Sequence, residues 1–162
     1  MISIISCKDS NLRTDAMIDS LVQSNPLFVI IQPSVFLKDY VQWWASRTSS
    51  QLLSIAFTAF LFEACACAAQ APSPELQHRL EYELAEKTTQ TAERLHETVL
   101  RLSNLITTGD GGIYRSLQCM LTTSWFKGEG RMIDAWHALA SAVHEEQEIG
   151  EWRADCFLMS SL

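Results

Sequence analysis

Apolar residues recur every three or four positions along most of the chain, which is the spacing of one face of an α-helix. Strand signals are sparse. Only residues 27–31 are apolar and β-branched, and Pro26 and Pro33 bracket them without a second strand to pair with. We therefore expect an all-α fold, an irregular array of about six to seven helices, in a single domain over residues 1–162. The segment 27–31 is interpreted as an extended linker.

Prolines, glycines and polar clusters divide the pattern into helices. Pro33 suits the first turn of a helix, and Gly150 has the place of a residue just beyond a helix end. The predicted helices cover residues 10–22, a segment that begins near 33, 51–70, 74–106 with a bend at 87–91, 113–126, 132–149 and 152–159.

Residues 52–69 form the most apolar segment, and their length is borderline for crossing a bilayer. Glu63 lies inside this segment, and neither basic residues nor an aromatic belt flank it. We therefore expect a helix buried at the centre of the fold, and no membrane partner.

The charge balance argues against nucleic acid as a partner. The chain has 19 acidic and 12 basic residues, a net charge of −7, and its lysines and arginines form no cluster that would neutralise phosphates. Hydrophobic residues make up 48% of the chain and charged residues only 19%, so apolar surface is expected to meet a partner. A homodimer is the partner that we predict.

The five cysteines are an odd number, and none of them forms the paired spacing of a zinc site. They are expected to be free thiols in a reducing compartment, so the protein is predicted to be intracellular, either cytoplasmic or nuclear. No phosphate loop, dinucleotide fingerprint or nucleophile motif occurs, and we expect neither a metal nor a cofactor.

Glu63 is the most conspicuous candidate for acid–base chemistry. A carboxylate in an apolar helix is desolvated, which raises its pKa, unless it reaches the helix surface or pairs with an arginine. Asp134, His137 and His144 share one face of the helix 132–149, where the aspartate is placed to orient an imidazole. His96 is interpreted as an ordinary boundary residue.

An aromatic ligand pocket is the second kind of candidate site. The chain has five tryptophans, and most of them are expected in the core. As pocket walls, Trp44, Trp125 and Trp136 would suit a flat apolar or aromatic molecule. Arg115 is a fourth candidate ligand-binding residue. The alternative interpretation gives Trp136 a purely structural role, in an apolar helix stripe with Met132, Leu139 and Val143.

Four segments in order resemble the regulatory domain of fungal binuclear zinc cluster transcription factors. They are residues 32–44 (QPSVFLKDYVQWW), the apolar helix after them, residues 116–121 (SLQCML), and residues 136–150 with Trp136 and Gly150. The resemblance covers about residues 32–155 and implies a helical fold. Two family features are absent: the six-cysteine DNA-binding cluster, and the signature arginine, in whose place His144 stands. In the family the helical array continues beyond this signature, so we expect self-association to complete it here.

Two function hypotheses stay open at this point. In the first, the chain is a module that binds a small apolar or aromatic ligand, a larger partner regulator, or both. In the second, it is a co-opted enzyme of fungal secondary metabolism, a cofactor-independent isomerase or cyclase. In that enzyme Glu63, Asp134, His137 and His144 would supply acid–base chemistry.

Overall fold

The computed structural model describes residues 33–46, 54–107 and 111–159. Within these ranges the chain is helical and has no strand, which confirms the predicted all-α class. The six helices are α1 (Pro33–Ser46), α2 (Ile55–Gln70), α3 (Pro74–Leu84), α4 (Thr88–Ser103), α5 (Gly112–Gly128) and α6 (Met132–Met159). The predicted helix 10–22 and linker 27–31 lie outside the described residues.

The long stretch 74–106 is broken close to the predicted place. Ala85 has a left-handed backbone with φ of 52°, which ends α3 before α4 begins at Thr88. The predicted end at Gly150 is wrong, since α6 runs through this glycine to Met159. A single glycine costs a helix only about 1 kcal/mol relative to alanine, and the helix formers around it outweigh that cost.

The chain divides into two compact units, and the division falls inside α2 and α4. Of the described residues, the first unit contains 33–46, residue 54 and 64–94. The second contains 55–63, 95–107 and 111–159. Each unit is described by itself.

The apolar helix α2 is buried on almost every side, as its composition predicts. Phe60, Leu61, Ala64 and Ala69 are each at most 1% exposed. Within the described ranges, no helix has both the length and the apolar character needed to cross a membrane.

In the first unit, aromatic side chains line one face of α1. Phe36 and Tyr40 are buried and stack with ring centroids 5.9 Å apart, and Trp43 meets Trp44 edge to face at 5.0 Å. At the start of α4, the Glu86 carboxylate accepts a hydrogen bond of 2.6 Å from the Thr91 hydroxyl. This hydrogen bond ties the segment between α3 and α4 to the first turns of α4.

In the second unit, α5 and α6 pack against each other, and a short turn connects them. Gly130, with φ of 71°, takes the left-handed position, while the Arg131 amide donates to the Phe126 carbonyl at 2.8 Å. This is the Schellman arrangement for ending a helix, and it explains the predicted break at residues 128–130. Tyr114 of α5 meets Phe57 of α2 edge to face at 4.9 Å, which joins the helix pair to α2.

The buried residues of the described face of α6 are two alanines, Ala135 and Ala142, and Glu145. The larger apolar stripe lies mostly outside it. Met132, Trp136 and Val143 are 52%, 67% and 51% exposed. Alanines let α6 approach α5 closely, while its bulky apolar residues face away from the core.

Candidate functional site

A buried carboxylate–imidazole pair joins α2 to α4 in the second unit. The Glu63 side chain is fully buried and that of His96 is 7% exposed. His96 Nδ1 lies 3.0 Å from each of the two carboxylate oxygens. This is the geometry of an Nδ1–H that donates a hydrogen bond shared by the two oxygens of a carboxylate, which accept it. The carboxylate therefore fixes both the ring orientation and the tautomer.

Two aromatic rings of α5 hold the imidazole on its other sides. The Trp125 ring stacks on His96 with a centroid separation of 4.7 Å and an interplanar angle of 16°. The Phe126 ring meets it edge to face at 5.3 Å. His96 Nε2 is buried and accepts or donates no hydrogen bond within the described part of the chain. A buried unsatisfied polar atom costs about 1–3 kcal/mol, and this nitrogen shares that condition with Arg115 Nε and Ser116 Oγ of the same unit.

Glu63 is buried, as predicted. The partner of its carboxylate is a histidine 33 residues away in sequence. Neither the helix surface nor an arginine accounts for this carboxylate. The interpretation of His96 as a boundary residue is wrong, since it is only 6% exposed. A signal was present in the spacing, because His96 and Val99 follow Ala92 on one helix face, and all three are buried.

An open cleft of about 230 Å³ lies beside this pair, between α4, α5 and α6. It combines apolar side chains with hydrogen-bonding ones. The lining residues are Leu100, Ser103, Arg115, Gln118, Cys119, Thr122, Phe126, Asp134, His137, Ala138 and Ser141. Phe126 belongs to both places, because its ring lines the cleft and contacts His96.

Gln118 organises the polar side of the cleft. Its Oε1 accepts hydrogen bonds from Arg115 Nη1 and from the Ser103 hydroxyl. Its Nε2 donates to the Thr122 hydroxyl at 2.8 Å. Arg115 Nε lies 3.6 Å from a Glu145 carboxylate oxygen, and both side chains are more than four-fifths buried. The cleft thus presents an arginine whose charge is largely balanced.

The predicted acid–base residues of α6 occupy two different places. Asp134 and His137 line the cleft, and Asp134 Oδ2 accepts a hydrogen bond of 2.8 Å from Arg131. His144 is exposed, does not line the cleft, and lies 3.8 Å from Glu148. The structure therefore brings two of these three residues into the cleft, while Glu63 lies in the separate pair with His96.

The predicted ligand-binding residues are also divided. Arg115 lines the cleft, whereas Trp125 is buried against His96. Trp44 belongs to the first unit, where it is half-buried beside Tyr40. Trp136 lies on the outer side of α6 and lines a shallow hollow of about 170 Å³ with Thr123, Lys127, Met132, Ala135 and Leu139.

None of the described cysteines, Cys65, Cys67 and Cys119, is part of a disulfide bond. Burial raises the pKa of the Cys65 thiol to about 12, and burial also raises that of Cys119 in the cleft wall. Neither thiol is therefore activated as a nucleophile. The described residues contain no group of three or more histidine, cysteine or acidic side chains that could hold a metal ion.

Comparisons of this chain found no matching family model, no matching curated protein and no matching solved structure. The resemblance to the fungal regulatory domain therefore stays a prediction. The candidate site has to be interpreted from its own geometry.

Proposed function

We propose that the second unit is a ligand-binding module whose ligand occupies the cleft between α4, α5 and α6. The observation that carries this proposal is the lining of the cleft. Leu100, Phe126 and Ala138 supply apolar contact, while Arg115 and Gln118 supply fixed hydrogen-bonding groups. An apolar cavity with a few convergent polar groups is the usual form of a small-molecule site.

Size and charge narrow the class of ligand. The cleft of about 230 Å³ is below the range of about 300–1,000 Å³ typical of drug-sized ligands, which favours a molecule of one or two small rings. Because Glu145 balances Arg115, a neutral molecule fits better than a polyanion. We infer a flat, mainly apolar or aromatic ligand that carries a carbonyl or hydroxyl group.

Two tryptophan substitutions in α6 test this proposal. Ala138 lines the cleft, and Ala140, two residues further along, is exposed. Ala138→Trp fills the cleft and is expected to abolish binding of 2-indanone, a flat aromatic ketone, in saturation-transfer NMR. The matched control Ala140→Trp should bind it as the native chain does. Equal binding by the two variants, or no binding by the native chain at millimolar ketone, would overturn the proposal.

We propose a second copy of the chain as the partner that covers the exposed stripe of α6. The stripe consists of Met132, Trp136, Leu139 and Val143, which lie on one helix face at spacings of 4, 3 and 4. Single exposed apolar residues are ordinary, but a continuous stripe of this kind is typical of an interaction surface.

The charges at the two ends of the stripe favour an antiparallel self-pairing. Near its start the charges balance, since Lys127 and Arg131 lie among Glu129 and Asp134, and Asp134 accepts a hydrogen bond from Arg131. Glu146 and Glu148 make the other end acidic. An antiparallel two-fold pairing of two α6 helices places each acidic end beside the balanced end of the other copy, whereas a parallel pairing would bring the two acidic ends together.

Sedimentation velocity tests this partner. Trp136→Glu places a charge at the centre of the stripe and is expected to convert a native dimer to a monomer. Tyr82→Glu is the matched control, since Tyr82 is 85% exposed on α3 in the first unit. A native chain that is monomeric at every concentration would overturn the dimer and make a larger regulator the occupant to test.

We place this module in a reducing compartment, the cytoplasm or the nucleus. Three free cysteines support this proposal, because structural thiols in oxidising compartments are usually paired. A fluorescent fusion in the producing cells distinguishes the two sites, and secretion of the fusion would contradict both.

A further inference from the structure

We propose that Glu63 and His96 form a proton-transfer site for a small enolisable carbonyl compound that enters through the cleft. This inference rests on the proposed ligand cleft and adds chemistry to it. It gives the buried pair a role that hydrophobic packing alone would not require, since an apolar pair of similar volume would fill the same space at no electrostatic cost.

Glu63 holds the imidazole of His96 through only one of its two nitrogens. Glu63 accepts a hydrogen bond from Nδ1–H, so in neutral His96 the lone pair is on Nε2. That lone pair finds no hydrogen-bond donor within the described part of the chain. A buried imidazole whose one nitrogen is held by a carboxylate and whose other nitrogen is unused has the arrangement of a general base.

The route from the cleft to Nε2 passes Leu100 of α4 and Phe126 of α5. His96 and Leu100 are one turn apart on α4, so their side chains are neighbours on the same helix face. Leu100 lines the cleft, and so does Phe126, whose ring contacts His96. The cleft therefore ends at side chains that touch or neighbour the imidazole. A rotamer change of Phe126 is the motion that admits a ligand to Nε2.

The proposed reaction is a proton transfer from a carbon atom of the ligand to His96. The carbon–hydrogen bond next to the carbonyl breaks, its proton moves to His96 Nε2, and the bonding electrons remain on the ligand as an enolate. Return of the proton to another atom of the same molecule completes an isomerisation, with no oxidant, reductant or cofactor. Glu63 is a positioning residue here, because its carboxylate also stabilises the imidazolium that forms.

The experiment follows the exchange of α-protons of 2-indanone for deuterium in D₂O by proton NMR. The native protein is expected to exchange them faster than an equal concentration of free imidazole. Removing a general base typically costs about 10²–10⁴-fold, so His96→Gln should lose at least about 10²-fold. Glu63→Gln removes the charge that supports the imidazolium and should also lower the rate, with binding of the ketone kept.

Controls separate this inference from ligand binding and from misfolding. Glu97→Gln changes an exposed carboxylate on the same helix as His96 and should leave the exchange rate unchanged. Native protein that binds 2-indanone but exchanges its protons no faster than imidazole would overturn the inference and leave the binding proposal standing. No binding at all would overturn both.

A measurement on the native chain alone guards against variants that fail to fold. The ¹⁵N chemical shifts of His96 distinguish a protonated nitrogen from one with a free lone pair. In the neutral ring we expect the proton on Nδ1 and the lone pair on Nε2, and a shift of the Nε2 signal when 2-indanone binds. Finding the proton on Nε2 and the lone pair on Nδ1 would overturn the proposed site.

Discussion

Replacing the buried Glu63–His96 pair, one residue at a time and then both together, is the sharpest test of the structure. In His96→Leu the fully buried Glu63 carboxylate loses the histidine that both its oxygens approach. Leaving a buried charge without its partner typically costs about 3–5 kcal/mol. Glu63→Met leaves the imidazole with an unmatched Nδ1–H in addition to Nε2. That loss costs about 1–3 kcal/mol per unsatisfied group.

The double variant is expected to reverse this loss. With Glu63→Met and His96→Leu together, two apolar side chains fill nearly the original volume, and no buried polar atom of the pair remains. Replacing a complete buried pair in this way is often neutral or stabilising by about 1–4 kcal/mol. We therefore predict that the double variant is more stable than either single variant, although it carries more changes.

Urea unfolding measures these differences. Trp125 stacks on His96, so the fluorine signal of 5-fluorotryptophan at this position reports unfolding of the second unit. For a slope of about 2 kcal/mol per molar urea, a loss of about 4 kcal/mol lowers the midpoint by about 2 M. The exposed Arg101–Glu97 pair of α4, treated in the same way, should change stability by less than about 1 kcal/mol. A double variant as unstable as His96→Leu would refute the buried pair.

Three further predictions follow from single residues. Cys65, whose thiol pKa burial raises to about 12, should resist iodoacetamide at pH 8, while half-buried Cys67 reacts first in a mass-spectrometric time course; equal labelling would contradict this. The hydrogen bond from Thr91 holds the pKa of Glu86 below its usual 4.5. The ionised Glu86 carboxylate therefore stabilises the folded chain above that pH, and this stabilisation is lost as the pH falls. Urea midpoints of Glu86→Gln and the native chain should therefore differ at pH 7 and converge in acid. Gly150→Ala should raise the stability by about 0.5–1 kcal/mol in thermal unfolding, because the residue is inside α6 with open space around it, and a loss would contradict the helix.

The helices of the described residues follow from local pattern more closely than their ends do. The break before Thr88 and the turn at Gly130 were visible as polar or glycine-rich interruptions. Gly150 shows why an end is harder to predict. The same residue ends a helix when its backbone turns left-handed, and it continues a helix when it does not. The residues around it decide between these outcomes, and a sequence pattern does not show which one wins.

The candidate site was half visible in the sequence. Glu63 stands out because a lone carboxylate inside an apolar run has to find a partner. The identity of that partner depends on the packing of α2 against α4, which brings together residues 33 positions apart. His96 was missed because one histidine beside Leu95 and Glu97 fits either edge of an amphipathic helix. A helical period alone does not say which residue is at the centre of the buried face.

The cleft and the exposed stripe lie on one helix, and helix geometry makes the two proposals separable. Successive residues turn about 100° around the axis, so Trp136 and Ala138 point about 160° apart. Trp136→Glu therefore changes the outer face without touching the cleft, and Ala138→Trp does the reverse. If each variant loses only its own property, the two faces of α6 act independently. If either variant loses both, ligand binding and dimerisation are linked, and each then changes the affinity of the other by the same factor.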